Sequence, residues 1–453
     1  MMAGPGGPTI GSATGPRASA PAGQRSARWG AVQGKTLEIF TQGLLVLVLP
    51  RLLGPAAFGR LTLGLAIVTL GTVAISLGAP SAFARFLPAE PPARRAGVAR
   101  AMTARLVRLR GLQLLAAGAI GAVVLLLAPA RFTPADAALV FVALAIEVVS
   151  LLGAQVVLGM GRTRLWSFRL AARNVALLLA VPLLLYAAGE RAVLAGLVLS
   201  SAAGLAVAGW TGLRLVSRAE AGAVIPDGAL SYGAVAGLSV VMWQATYRGP
   251  VLATSVLGHS AIQTGYAALA GSIAVAAMLA IRELFTVSLP ELVEAWEVDR
   301  ARAERTLRRV GWRVEAALLP AALLAVPVLD RAITLLAGPD FASAAVTLVP
   351  LLALLPLLPL SALGWQGAAL RLRPDLALRI DAAAAVAFVA AAAVLVPAAG
   401  AAGATSALAL AALVSASLYA WVLPESVTPR FLLVAAAGAA GVFALAGALG
   451  IIG

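Results

Sequence analysis

The chain has 453 residues, of which 61% are apolar and only 12% charged, and its mean hydropathy is +0.97. A water-soluble domain carries about 25% charged and about 45–50% apolar residues, so this composition excludes a conventional cytosolic enzyme and calls for lipid as solvent. The absence of cysteine excludes disulfides, thiol nucleophiles and thiolate metal sites, and one histidine, His259, leaves no histidine metal site to build.

Residues 1–30 are rich in Gly, Pro, Ala and Ser with Arg17, Arg25 and Arg28, and read as a flexible basic tail. Beyond it the apolar runs predict thirteen membrane spans, at about 33–53, 61–84, 111–129, 136–158, 167–188, 192–212, 230–257, 264–288, 314–336, 344–370, 377–397, 402–423 and 431–452. Breaks between them carry turn chemistry, such as Gly54-Pro55, Gly189-Glu190, Pro226-Asp227 and Gly338-Pro339. Pro182, Pro327, Pro356 and Pro359 fall inside spans, where membrane helices tolerate them as kinks. Glu291 to Val310 predicts an amphipathic extension of the eighth span, with Leu292, Trp296 and Leu307 as its apolar positions and Glu304–Arg308 as an i,i+4 pair.

The net charge of +15 raises nucleic acid as a partner, and the positions of the charges decide against it. With the amino terminus inside, the outer loops hold Arg51, Arg60, Arg131, Arg191 and Arg331. Arg248 lies deep within the seventh span, and the other 28 of the 34 Lys and Arg residues fall on the inner side. That asymmetry is the signature of a multi-pass protein of the cell membrane with a cytoplasmic N-terminus, its arginines facing anionic headgroups rather than a nucleic-acid groove.

The turn Leu53-Gly54-Pro55 and the later Leu257-Gly258-His259 are separated by six spans, an even number. The two halves therefore enter the membrane from the same side, which predicts parallel bundles rather than an inverted repeat. The expected fold is an all-α integral membrane protein of about 13 transmembrane helices, in two parallel six-helix bundles around a central cavity. The bundles are expected at 31–216 and 229–423, the second with its amphipathic helix at about 291–310, and an extra helix at 430–453 follows. No Walker-type phosphate loop is present, and the sole lysine, Lys35, follows a single glycine. Neither a nucleotide motor nor any other cofactor is expected.

Arg51 through Gly59, with Leu77-Gly78-Ala79-Pro80-Ser81-Ala82-Phe83-Ala84-Arg85 after the next helix, resembles the opening of the Wzx-type polysaccharide flippases. These belong to the multidrug/oligosaccharidyl-lipid/polysaccharide (MOP) exporter superfamily, which includes the MATE exporters. The stretch from Arg248 through Gly265-Tyr266-Ala267-Ala268 is similar to that family's second-half opening, as are Pro290 and Gly338-Pro339-Asp340-Phe341. The resemblance covers about residues 31–423. Two departures stand out: Tyr247-Arg248 replaces the family's frequent Asp-Arg, and thirteen spans replace twelve or fourteen.

An ionisable side chain at mid-membrane costs roughly 2.5–3.5 kcal/mol on insertion scales, so it usually faces protein or water. Glu147, Arg248, Glu38 and Arg85 are the candidates, with Gln42 one turn beyond Glu38 on the same face. Each has a structural alternative: Arg85 snorkels to headgroups, Glu38 reaches the interface, and Glu147 and Arg248 form structural pairs. Asp381, at the start of the eleventh span, reads as a cap or interface residue.

The resemblance implies a transporter rather than an enzyme, with no catalytic residues. It would move a lipid-linked oligosaccharide, the precursor of a surface polysaccharide, from inner to outer leaflet by alternating access, alongside other polysaccharide-assembly proteins. Arg248, Arg85 and Arg51 would then offer donors to substrate phosphate. Gln42, Gln244 and Trp243 would supply hydrogen bonds and a sugar-stacking face, unless they serve helix packing. Glu38 and Glu147 would bind a coupling ion. The alternatives are a cation-coupled multidrug exporter of MATE type and, further off, a membrane-embedded saccharide polymerase or ligase, which the short outer loops disfavour.

Overall fold

The computed structural model describes residues 22–452, apart from positions 77, 89, 128–131, 258 and 372. The basic tail expected over 1–30 therefore lies outside the described residues as far as position 21, and from Ala22 the chain is helical. The helices are α1 (Ala22–Ser76), α2 (Ala79–Phe86), α3 (Pro92–Leu127), α4 (Pro134–Gly159), α5 (Thr163–Ala188), α6 (Ala195–Gly204) and α7 (Trp210–Arg218). They continue as α8 (Ala229–Val256), α9 (Ala261–Val298), α10 (Arg300–Ala325), α11 (Leu329–Ala337), α12 (Ala345–Leu354), α13 (Leu358–Leu370), α14 (Pro374–Val422) and α15 (Pro429–Ala448). No strand occurs among the described residues.

Nine helical stretches of the described residues are long and apolar enough to cross a membrane. Two of them, within α1 and α14, are broken by one residue each. Gly54 (φ 68°, ψ 172°) and Gly400 (φ 57°, ψ −128°) take left-handed or mirror-extended backbone that a side chain would oppose, so the helix reverses there. Counting their limbs separately, and adding α3 and the 28-residue α8, gives thirteen helical stretches in the order the apolar runs predict.

Register shows how they pack. The first limb of α1 runs parallel to α5, with Gly34 against Ser167 and Thr41 Oγ1 accepting from Asn174 Nδ2 at 3.1 Å. Its second limb runs parallel to α4, with Gly64 against Val140 and Gly71 against Leu144. Further along, α4 is parallel to the 195–218 stretch, Ser150 meeting Gly204 and Gly153 meeting Gly212.

The second half repeats these pairings. There α8 is parallel to the first limb of α14, through Ser239–Asp381 and Gly249–Phe388. The 345–370 stretch is parallel to α14's second limb, through Thr347–Thr405 and Ser361–Ser415. First-with-fifth and fourth-with-sixth thus recur as seventh-with-eleventh and tenth-with-twelfth. The pairing recurs after six helical stretches, and because that number is even the two six-helix bundles are like-oriented. The thirteenth stretch, α15, lies outside the repeat and packs on α10, with Trp312 and Phe431 stacked at 4.4 Å and Gly438 against Leu319.

Three local expectations need correction. Pro327 and Pro356 do not simply kink their spans; each sits in one turn of 3-10 helix, Val326–Val328 and Leu355–Leu357, where the lost N–H shortens the bonding. The amphipathic segment is not one extension of the eighth span, because Asp299 caps a new helix by accepting from the backbone N–H of Arg302. The Glu304–Arg308 pair gives way to longer-range partners. Glu304 binds Arg371 at 2.7 Å, and Arg308 donates to the carbonyl of Glu425.

Small residues set the closest helix approach. A methyl group at Gly153 would lie 2.0 Å from the carbonyl oxygen of Gly209. Gly153→Ala must therefore spread α4 from its neighbour, and overpacking of this kind costs about 1–3 kcal/mol. A lowered melting temperature in detergent is the expected result.

Candidate functional site

A cavity of about 310 Å³ opens between the halves. From the first half it is lined by Lys35, Glu38, Gln42, Thr69, Arg173, Asn174 and Ser200, and from the second by Trp243, Gln244 and Arg248. At the Gly54 end the halves are shut. Phe58 meets Phe341 edge-on at 6.1 Å, Tyr266 lies 5.9 Å from Phe341, and Gly59 packs against the backbone of Gly265. At the opposite, arginine-rich end Phe86 and Tyr232 are 5.8 Å apart and Gly78 abuts Gly233. The lining runs from Arg248 toward Lys35, that is, toward the arginine-rich end.

The polar walls are partly matched. Lys35 Nζ binds Glu38 Oε2 at 2.9 Å, and Asn174 Nδ2 reaches the Glu38 carbonyl at 3.5 Å. Arg173 is held to Glu147 Oε1 at 2.7 Å, and its carbonyl accepts from Ser200 Oγ at 2.9 Å. Arg169 binds the same Glu147 oxygen and reaches Ser150 Oγ at 3.0 Å. Four lining atoms have no hydrogen-bond partner among the described residues: Arg248 Nε, Arg173 Nε, Trp243 Nε1 and Gln244 Oε1. Three of these are donors. Among the described residues Arg248 is unmatched by any carboxylate, and the Glu147 group holds two arginines to one glutamate, so the wall carries excess positive charge. A buried donor without a partner costs about 1–3 kcal/mol, and a polar guest or water recovers that cost.

The structure brings five of the eight candidate residues together: Glu38, Gln42, Trp243, Gln244 and Arg248. Glu147 is 3% exposed and stands behind the wall, clamped by two arginines. Arg85 is exposed on α2, and Arg51 is exposed near Gly338 at the Gly54 end; neither lines the cavity.

Sequence reasoning missed Arg169 and Arg173, which it counted among inner-loop arginines. Helix α5 starts at Thr163, so both lie turns inside it and reach Glu147 on the antiparallel α4. Their i,i+4 spacing opposite an intramembrane glutamate was the available signal.

Asp381 is neither cap nor interface residue. It is buried, accepts from Ser239 Oγ at 2.5 Å, and lines a smaller second cavity of about 40 Å³ with Tyr247, Trp365 and Tyr419. Arg282 lies in that wall between two indoles, 5.1 Å from Trp243 and 4.6 Å from Trp365. Trp243 borders both cavities.

The paired bundles can be compared with solved structures. "Lipid II flippase MurJ, inward closed conformation" matches with a TM-score of 0.65 at 10% identity, over 93% of this chain and 92% of that one. A crystal structure of MATE in complex with MaL6 matches with a TM-score of 0.58 at 14% identity, over 93% and 97%. An inward-facing multidrug resistance MATE family transporter of the MOP superfamily gives 0.51 at 16%, over 91% and 95%. The chain has the fold that these transporters share. No protein-family model and no curated protein sequence matches it. That shared fold at nearly full length, with nine helical stretches apolar enough to cross a membrane among the described residues, makes the chain a multi-pass membrane protein.

Because the chain has no cysteine, an introduced thiol is unique. The halves also touch at the arginine-rich end, but the lining extends that way, so Gln244→Cys is expected to react with a membrane-impermeant maleimide faster from that side than from the other. Equal labelling from both sides would show that the Phe58–Phe341–Tyr266 closure does not hold.

Proposed function

We propose that the chain moves a lipid-linked oligosaccharide between leaflets by alternating access, with the arginine-rich end and the amino terminus in the cytoplasm. One observation carries this reading: a cavity between two like-oriented halves, closed at the Gly54 end, whose orphaned polar atoms are mostly donors set in a positively charged wall. Such a lipid carries a phosphate or pyrophosphate and a polar head that hydrocarbon excludes. Arg248 is suited to the phosphate because its planar guanidinium can donate to two oxygens at once. Gln42, Gln244, Asn174 and Trp243 are suited to the head, while the tail stays in the bilayer. The chain's own residues bind, orient and screen the cargo; no bond is made or broken.

The multidrug exporter reading shares the fold. The unmatched Arg248 favours an anionic cargo over the cationic compounds such a cavity would otherwise collect. Glu38 supports a coupling role only in a state where Lys35 has moved away, since the two are paired here. Reconstitution into liposomes with a fluorescent lipid-linked oligosaccharide tests the proposal. Head-group movement from the arginine-rich side to the other supports it, and its absence, with ion-driven efflux of a cationic dye, supports the rival.

A further inference from the structure

Glu315 belongs to neither cavity. It lies on the buried stripe of α10 formed by Ala303, Leu307, Gly311 and Ala322, and it is 1% exposed. Neither carboxylate oxygen has a hydrogen-bond partner among the described residues. One turn earlier Gly311 packs on Leu363 of α13, and one turn later Leu319 packs on Gly438 of α15. Glu304 beside Arg371 and Gly311 beside Leu363 make α10 and α13 antiparallel, a register that carries Glu315 to the level of Pro359, next to the Leu355–Leu357 break.

Among the described residues no ion-pair partner reaches it. Of the segments packed on α10, 345–370 and 429–448 hold one charged residue, Arg430, exposed in the first turn of α15, and α9 is a further neighbour. Arg282 of α9 lines the second cavity. On α10 itself Arg308 donates to the Glu425 carbonyl and Arg313 is exposed. An ionised carboxylate buried without a partner carries a penalty so large that the group takes up a proton instead.

We propose that Glu315 is a proton-binding site, holding its proton while α10, α13 and α15 are closed around it and releasing it when they part. The 3-10 turns at Val326–Val328 and Leu355–Leu357 provide the bending points, since the regular helical ladder is already interrupted there. Proton release is thereby tied to movement of the second half. The proposal holds whatever the cargo.

The test is infrared spectroscopy of the full chain in lipid nanodiscs, wild type against Glu315→Gln, from neutral to alkaline pH. Glutamine copies the shape of the neutral acid and should fold. A carbonyl band of a protonated carboxylic acid is expected in wild type and missing in the variant. It should fade as pH rises, while amide exchange in α10, α13 and α15 increases in wild type only. Identical bands in both proteins, or a band that persists with unchanged exchange, would overturn the proposal.

Dicyclohexylcarbodiimide on wild type gives a reading without a variant. A neutral acid adds across the carbodiimide C=N bond, its proton passing to nitrogen, and the adduct rearranges to an N-acylurea with no leaving group. Mass spectrometry should find that adduct on Glu315 at neutral pH, with loss at alkaline pH. An unmodified Glu315 would count against the site.

Discussion

Arg248→Glu is expected to abolish transport while expression and melting temperature stay near wild type. The side chain lines a cavity of about 310 Å³ and has no carboxylate partner among the described residues, so reversing its charge breaks no pair seen there. It does turn a phosphate donor into a repulsive anion. A hydrogen bond to a charged group is worth roughly 1.5–3 kcal/mol, which puts simple removal, Arg248→Gln, at about a ten- to hundredfold loss, with reversal larger. Arg248→Lys keeps the charge but not the planar fork and should fall between. Initial rates of head-group movement in liposomes measure all three. Wild-type rates in Arg248→Glu would take this residue out of the site.

The largest stability effect is expected at Glu147. Its carboxylate is 3% exposed and answers both Arg169 and Arg173. Glu147→Ala leaves the buried Arg169 and the cavity-lining Arg173 facing each other without that counter-charge, and breaking a buried pair in this way costs about 3–5 kcal/mol. Aggregation, or a large drop in melting temperature, should follow in size-exclusion and thermal-shift measurements. Replacing all three together, Glu147→Leu with Arg169→Met and Arg173→Met, should recover much of that loss, because no charge is then left buried. A single variant that loses less than about 1 kcal/mol would indicate water at the triad, as for an exposed pair, and would restore Glu147 as a coupling residue.

Much of the fold was legible. Apolar run lengths, Gly-Pro turns and the one-sided distribution of arginine are local properties, and they anticipated the thirteen helical stretches and the like orientation of the halves. Gly54 shows why: it breaks α1 through its own backbone preference, whatever packs nearby. The site was half legible. Glu38, Gln42, Trp243, Gln244 and Arg248 stood out as polar side chains in apolar spans, and the cavity collects all five. Arg169 and Arg173 did not, because arginine near a span's end reads as a headgroup contact until a neighbouring helix supplies Glu147. Glu304 followed the same logic: its pairing with Arg371 over the helical neighbour Arg308 depends on where α13 ends. Glu315 drew no notice, since the start of the ninth span looked like the tail of a charged segment.

What the amino-acid order determined by itself was the solvent, the number of crossings and the small set of side chains that hydrocarbon would reject. Those follow from transfer free energies and backbone preferences that act residue by residue. Tertiary structure alone decided which rejected charges find partners. Among the described residues Glu147 is held by two arginines, Glu38 pairs with Lys35, Asp381 accepts from a serine hydroxyl, and Arg248 and Glu315 make no ion pair. A side chain's partner depends on the register between helices far apart in the chain, and no local pattern encodes that distance.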